Sequence, residues 1–333
     1  MQNKIDEIIR HYFNDAAYDI DPVPFGLTNL TRILTINGRK YVIRVYNRHT
    51  KDAASIQFEA RLMAYLTNQE LSFTVPVFLN TNGGKPYVQL SDGTLGAVVS
   101  FVEGHVPDLS TADQAAELGR VVGELSSALR RYKPEWNDEG TPFTDIYHLH
   151  PLADCRAVAA FIDNPPFEIA QDSLHFYKET VANAEQSKRE WLDLPKQLVH
   201  HDLLIYNLLS IDNRIHGVLD FDFTSLDIGF MEFAISFNHV VQMTNGAWEP
   251  IEAFINGYAQ YRKSSALEWN QLRLLTRIYH IAVLHIYIGQ HYSGVTIEKP
   301  FHYILDQFRT RDEWLLAHRD PLELLFNKCL IER

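Results

Sequence analysis

Apolar residues recur along this chain in two rhythms, and the change from one to the other divides it. In residues 4–13, Ile5, Ile8, Ile9 and Tyr12 fall at helical spacing before Asp19, Asp21, Pro22 and Pro24 break the pattern. Residues 31–46 read instead as two β-branched runs flanking Asn37-Gly38, a pair that tolerates the positive φ of a tight hairpin turn. Residues 55–66 return to helical spacing through Ile56, Phe58, Leu62, Met63 and Leu66, and residues 75–77, 87–90 and 96–102 read as further strands. Hairpin, helix and strands in that order predict a mostly antiparallel sheet with one helix packed on it.

After Glu103-Gly104 the rhythm is helical. Residues 112–131, 152–162, 171–191, 231–243, 248–262 and 267–289, and the tail from 300 onward, all carry it. The exception is residues 197–223, where 208–211 and 215–221 read as two short strands joined across Asp212-Asn213-Arg214. A chain of 333 residues exceeds one compact core. The expected fold is therefore α+β in two lobes, a small antiparallel-sheet lobe over residues 1–104 and a larger, mainly helical one over 105–333.

Composition adds boundaries. Hydrophobic residues at 46% and charged residues at 22% describe an ordinary globular chain. The net charge of −12 argues against nucleic acid or an anionic membrane as partner. Residues 1–104 hold ten basic and ten acidic side chains, so the excess of 32 acidic over 20 basic lies wholly in 105–333. That suits a solvated acidic surface or a cationic substrate. No apolar run reaches bilayer length and the first ten residues are polar, which predicts a cytoplasmic location. Cys155 and Cys329 share no metal-type spacing and are expected to be free, buried thiols.

The chemistry concentrates around the short strands. Residues 199–210 contain His200-His201-Asp202 and, five residues past the aspartate, Asn207; Asp220-Phe221-Asp222 follows the second strand. Phosphoryl transfer from ATP needs oxygen ligands that place magnesium on the phosphates and an acceptor for the attacking hydroxyl's proton. Asp202 suits the second role, and Asn207 with Asp220 suits the first.

Residues 198–234 resemble the signature of the aminoglycoside phosphotransferase and choline kinase superfamily, whose fold is protein-kinase-like, and are most similar to its type II homoserine kinase branch. The residues that carry the resemblance are His200, Asp202, Asn207, Asp220, Phe221 and Asp227, with Glu232 in place of an aspartate. The resemblance implies an ATP- and magnesium-dependent kinase acting on a hydroxyl of a small polar acceptor, such as a homoserine-like amino alcohol, an amino sugar or a choline-like molecule. It further implies that Gly26, Thr28 and Asn29 lie in a phosphate-covering turn, that Arg44 stands where kinases carry a phosphate-contacting lysine, and that Glu59 is its ion-pair partner. Lys40 is an alternative to Arg44. Ser100 and Val102 fall in the stretch that meets adenine through backbone groups, so residues 1–104 would bind nucleotide and 105–333 would hold the catalytic and acceptor sites.

Other readings sit beside these. His200 is expected to brace the catalytic loop, and His201, where the family often has glycine, to narrow the pocket or touch substrate. Asp222 could assist the metal or bind a substrate amine. His280, His285 and His291 are expected to be core or surface residues. The alternatives to a kinase are an ATP-binding pseudokinase or regulatory protein of the same fold, suggested by Arg44 and His201, and a metal-dependent hydrolase.

Overall fold

The structure is a computed structural model that describes residues 2–23, 29–47, 51–135, 140–191 and 193–331. It opens with α1 (Gln2–Phe13), whose Ile5, Ile8, Ile9 and Tyr12 are buried as their spacing predicts. Strands β1 (Asp19–Pro22), β2 (Leu30–Ile36), β3 (Arg39–Val45), β4 (Val88–Gln89) and β5 (Leu95–Ser100) form one antiparallel sheet in the order β1-β2-β3-β5-β4. Asn37 and Gly38 turn the central hairpin with φ of 50° and 73°.

Three expectations change here. Asp19 to Pro22 form an edge strand rather than only a break, and at an edge the missing proline N–H leaves no ladder bond unmade. Residues 75–77 are not a strand, because Pro76 has no N–H to offer; this stretch reaches β5 through Ser100 N–H on Val77 O at 2.8 Å and Leu79 N–H on Val98 O at 2.9 Å. The sheet also carries two helices rather than one. Val98 packs with α1, while its neighbour Ala97 packs with Ile56 of α2 (Ala53–Thr67). Successive strand residues point to opposite faces, so the two helices cover opposite sides. The rest of α2's inner face, Phe58, Leu62, Met63 and Leu66, belongs to the large core of the helical part.

That part comprises α3 (Ala112–Arg131), α4 (Cys155–Asp163), α5 (Gln171–Gln186), α6 (Lys188–Trp191), α7 (Met231–Met243), α8 (Trp248–Tyr258), α9 (Ala266–Asn270), α10 (Leu272–Tyr292), α11 (Glu298–Ala317) and α12 (Arg319–Cys329). The expected helices 171–191 and 267–289 are each split, at Ser187 and Gln271, because apolar spacing carries across a break of one residue. The closest approach is α3 on α8: a Cβ on Gly119 would lie 2.0 Å from Phe254 O, and one on Gly257 2.2 Å from Ala116 O. The two thiols are free but not buried as expected. Cys155 opens α4 and is exposed, and Cys329 closes α12 and is half-buried, since helix ends face outward. Among the described residues no helix is long and apolar enough to cross a membrane.

Two small ribbons sit between the sheet and the helices. β7 (Leu208–Ile211) pairs with β8 (Arg214–Val218), the expected hairpin, while β6 (Lys196–Val199) pairs with β9 (Ser225–Ile228). The chain crosses from sheet to helices where His105 and Ser210 exchange backbone hydrogen bonds of 3.1 and 2.7 Å. Gly104 permits that approach: its φ is 133°, and a Cβ there would lie 3.0 Å from Ser210 O.

Candidate active site

β6 delivers the chain into a loop, His200 to Asn207, that is tied down at each step. Burial pushes His200 down to about 4, so its ring is neutral: Nε2 donates to Leu219 O at 3.0 Å and Nδ1 accepts the Asp202 N–H at 3.2 Å. Its own N–H donates to Glu232 Oε2 of α7 at 2.7 Å, and His239, also on α7, accepts the Ile205 N–H at 3.4 Å. Asn207 turns its amide nitrogen onto Asp202, 2.7 Å from Oδ2 and 2.9 Å from the carbonyl. One carboxylate oxygen of Asp202 and the amide oxygen of Asn207 thus face away from this bond. Asp220 follows β8 with φ of 62°, a left-handed turn that lifts its carboxylate out of the strand line.

His201 is fully buried with φ of 66°. Its Nε2 lies 3.0 Å from Asp227 Oδ2 and its Nδ1 3.1 Å from Phe223 O, and its ring stacks on Phe143 at 4.4 Å. Asp227 also accepts from Thr144 N–H (3.2 Å) and Oγ1 (2.8 Å), and these partners outweigh burial to hold its pKa below the usual carboxylate range. His201 is thereby walled off from solvent among protein groups.

On the sheet side, Arg44 Nη1 is 2.8 Å from Glu59 Oε1 and 3.7 Å from Asp222 Oδ1. Asn29 donates to Asp222 Oδ2 and accepts the Asn47 N–H at 3.1 Å. Gly26 and Thr28 lie outside the described residues. Lys40 is remote from this cluster: it is half-exposed, 5.1 Å above the Phe101 ring, and 4.0 Å from Glu103. Ser100 accepts the Val77 N–H on its hydroxyl at 2.8 Å, and Val102 packs where a Cβ on Gly217 would lie 2.7 Å away. His280 and His285 are buried in the helical part, and His291 is half-buried there.

Sequence reasoning missed Lys51. Its Nζ is 2.9 Å from Asp222 O, 3.3 Å from Asp222 Oδ1 and 3.9 Å from Glu59 Oε2. The available signal was position, since Lys51 immediately precedes Asp52, the N-cap of α2, at the end of the helix that carries Glu59. Lys51, Glu59 and Asp222 line one side of a cleft of about 410 Å³ that reaches across to His150, Thr224 and Gln290.

Three carboxyl groups, Asp220, Asp222 and the buried Glu59, thus face two cations, with Asp202 beside Asp220. Burial, then Asp220, pushes Asp202 up to about 8. Asp220 is raised by burial and then by Asp222, and Glu59 by the same two causes against the pull of Arg44 and Lys51. Asp222 alone is lowered, because Lys51 and Arg44 together outweigh its burial. Such a surplus of negative charge on hard oxygens fits a divalent metal ion. Among the described residues no three His, Cys, Asp or Glu side chains are grouped around a common centre. Asn207 and Asp220 offer oxygens that could hold such an ion, with substrate phosphates and water completing its coordination.

Comparison with known proteins finds kinases that match along most of the chain. A homoserine kinase of Sinorhizobium fredii is 26% identical over 327 residues, covering 93% of this chain and 88% of the relative. Among solved structures, a microcompartment-associated aminopropanol kinase shares the fold with a TM-score of 0.71 at 17% identity, covering 95% of this chain and 98% of the other. An amicoumacin kinase, solved in complex with AMP-PNP, Ca2+ and Ami, has a TM-score of 0.65 at 14% identity, covering 94% and 92%. The family model described as the phosphotransferase enzyme family matches residues 19–275, most of the chain, and the protein belongs to that family.

Proposed function

We propose that the protein transfers the γ-phosphoryl group of ATP to a hydroxyl of a small, homoserine-like acceptor, with residues 1–104 serving the nucleotide and 105–333 the catalytic loop and acceptor. The observation that carries the reading is the Asn207–Asp202 hydrogen bond beside Asp220. It holds a proton acceptor and two oxygen ligands on one loop and one turn. Homoserine kinases over most of the chain, and an aminopropanol kinase of the same fold, support an acceptor bearing both an amine and a hydroxyl.

In this reading Asp202 orients the acceptor hydroxyl with the oxygen that Asn207 leaves open, and takes its proton as the phosphorus–oxygen bond forms. A carboxylate made more basic by burial suits that transfer. Arg44, fixed by Glu59, and Lys51 would meet the nucleotide phosphates, and the backbone around Ser100 and Val102 would meet adenine. A bound magnesium ion, held by Asn207 and Asp220, would supply neutralisation of phosphate charge. His200 keeps the loop in register with the Asp220 turn, whereas His201 and Asp227 brace it from behind.

The test is turnover with L-homoserine and ATP. Asp202→Asn is expected to lower kcat by about 10²–10⁴-fold while nucleotide still binds. Asp220→Ala is expected to lose metal-dependent nucleotide binding as well. Undiminished turnover in both variants would remove the assignment.

A further inference from the structure

α11 packs its apolar side, Phe301, Leu305, Phe308 and Leu315, into the core, yet that same side carries Arg311, which is only 8% exposed. Buried arginines are ordinarily paired. This one makes no hydrogen bond or ion pair with any described residue, and its Nε has no partner. The nearby carboxylate is already taken. Asp312 is gripped by Arg273 Nε and Nη2 (2.9 and 2.6 Å) and by Arg277 Nε and Nη2 (2.6 and 2.9 Å). Two guanidinium groups thus saturate Asp312 and leave nothing of it for Arg311. One turn earlier on α11, Gln307 Oε1 is likewise without a partner.

The face bearing these groups leads to the catalytic loop. Tyr303, Gln307 and Arg311 follow one another at four-residue spacing on α11. The Tyr303 hydroxyl accepts from Gln242 of α7 at 2.7 Å, one turn beyond His239, which holds the Ile205 N–H. On α10, Tyr279 stacks on Phe143 at 6.2 Å, and Phe143 stacks on His201, next to Asp202. The hydroxyls of Tyr279 and Tyr287 are raised by burial and then by the Asp202 charge, and Tyr303 acts on both Tyr279 and Arg311. Tyr303 thus ties the helix of the unpaired guanidinium to α7, the helix that holds the catalytic loop.

We propose that Arg311 is the specificity-determining residue of the acceptor pocket, binding a carboxylate on the acceptor, so that the substrate is a hydroxy amino acid rather than a plain amino alcohol. Gln307, one turn nearer Tyr303, accepts from its ammonium group. A guanidinium presents parallel donors that match a carboxylate, and a buried, unpaired one discriminates strongly against a ligand that leaves it unpaired. This assignment rests on the transfer reading above for the position of the acceptor hydroxyl.

Binding and transfer are measured separately, with L-homoserine and 3-aminopropan-1-ol as probes. These two differ by the carboxylate alone. By calorimetry, the native protein with AMP-PNP and magnesium is expected to bind L-homoserine about 10- to 100-fold more tightly than 3-aminopropan-1-ol. Arg311→Met should bring that ratio towards one, and Arg311→Lys, which keeps the charge and loses the fork, should restore part of it. An unchanged ratio in Arg311→Met, equal binding of the two probes by the native protein, or binding of neither, overturns the role of Arg311. The Lys variant guards against misfolding: if both variants unfold, the native protein's own ratio still decides. Binding with the expected ratio but no phosphate transfer would count against the transfer reading and leave the carboxylate site standing.

Discussion

Glu232 holds the His200 amide with one carboxylate oxygen while the other, buried, has no hydrogen-bond partner among the described residues. Burial pushes its pKa up to about 7, from an ordinary value near 4.5. The folded protein therefore holds this proton more tightly than the unfolded chain, and stability should fall as pH rises from about 4.5 to about 7, then level off. The difference amounts to about 3 kcal/mol at most. Glu232→Gln, which still accepts from His200, should lack that portion of the decline. Urea unfolding of both proteins at pH 5 and pH 8, without nucleotide, checks this; parallel pH profiles would count against it. The residues easiest to read from sequence were those whose spacing is itself the chemistry, since Asp202 and Asn207 sit five apart on one loop. Lys51 and Arg311 were not legible, because a cation's meaning depends on what it faces across the fold. His201 was expected to narrow the pocket or touch substrate; the structure puts it in a sealed bond to Asp227, a partner 26 residues away.

Elements divide in the same way. The Asn37-Gly38 hairpin, α3 and α7 follow from turn chemistry and periodicity, and α3 and α7 have the bounds their apolar spacing predicts. β6 and β9 escaped because four residues give too few alternations to register and their pairing spans a loop and another hairpin. Yet these two strands set the ends of the segment that carries His200 to Asp222. The α3–α8 contact was equally silent, since a glycine in a helix reads as a weakness until its neighbour is known. Gly119→Ala would drive a methyl against the Phe254 carbonyl, and backbone on both sides has no rotamer to relieve it. The expected cost is about 1–3 kcal/mol or more, read as a lower urea midpoint with an unchanged denaturant slope. A neutral result would mean that the two helices separate easily.

At the scale of the whole molecule, the apolar contact of α2 with the helical core is flanked, among the described residues, by two kinds of polar contact. One is uncharged backbone, His105 with Ser210 and Thr74 with His216 and Val218. The other is the cluster of Asn29, Arg44 and Lys51 around Asp222. A nucleotide with magnesium would add contacts to the second kind, so AMP-PNP with magnesium should raise the unfolding temperature, and a chelator should remove most of the gain. At a hundredfold excess over the dissociation constant the stabilisation is about 2.7 kcal/mol. No shift with any nucleotide would contradict the proposed cleft.

The helix pair α3 and α8 touches through main chain at Gly119, Gly123 and Gly257, with no side chain in between. Such a seam has no volume that substitution can adjust: any larger residue is an intrusion, and no smaller one exists. Sequence change in the helical part is thereby confined to its other faces. The tyrosines, glutamine and arginine of α10 and α11 stand outside this seam, so exchanging them leaves the α3–α8 reference in place.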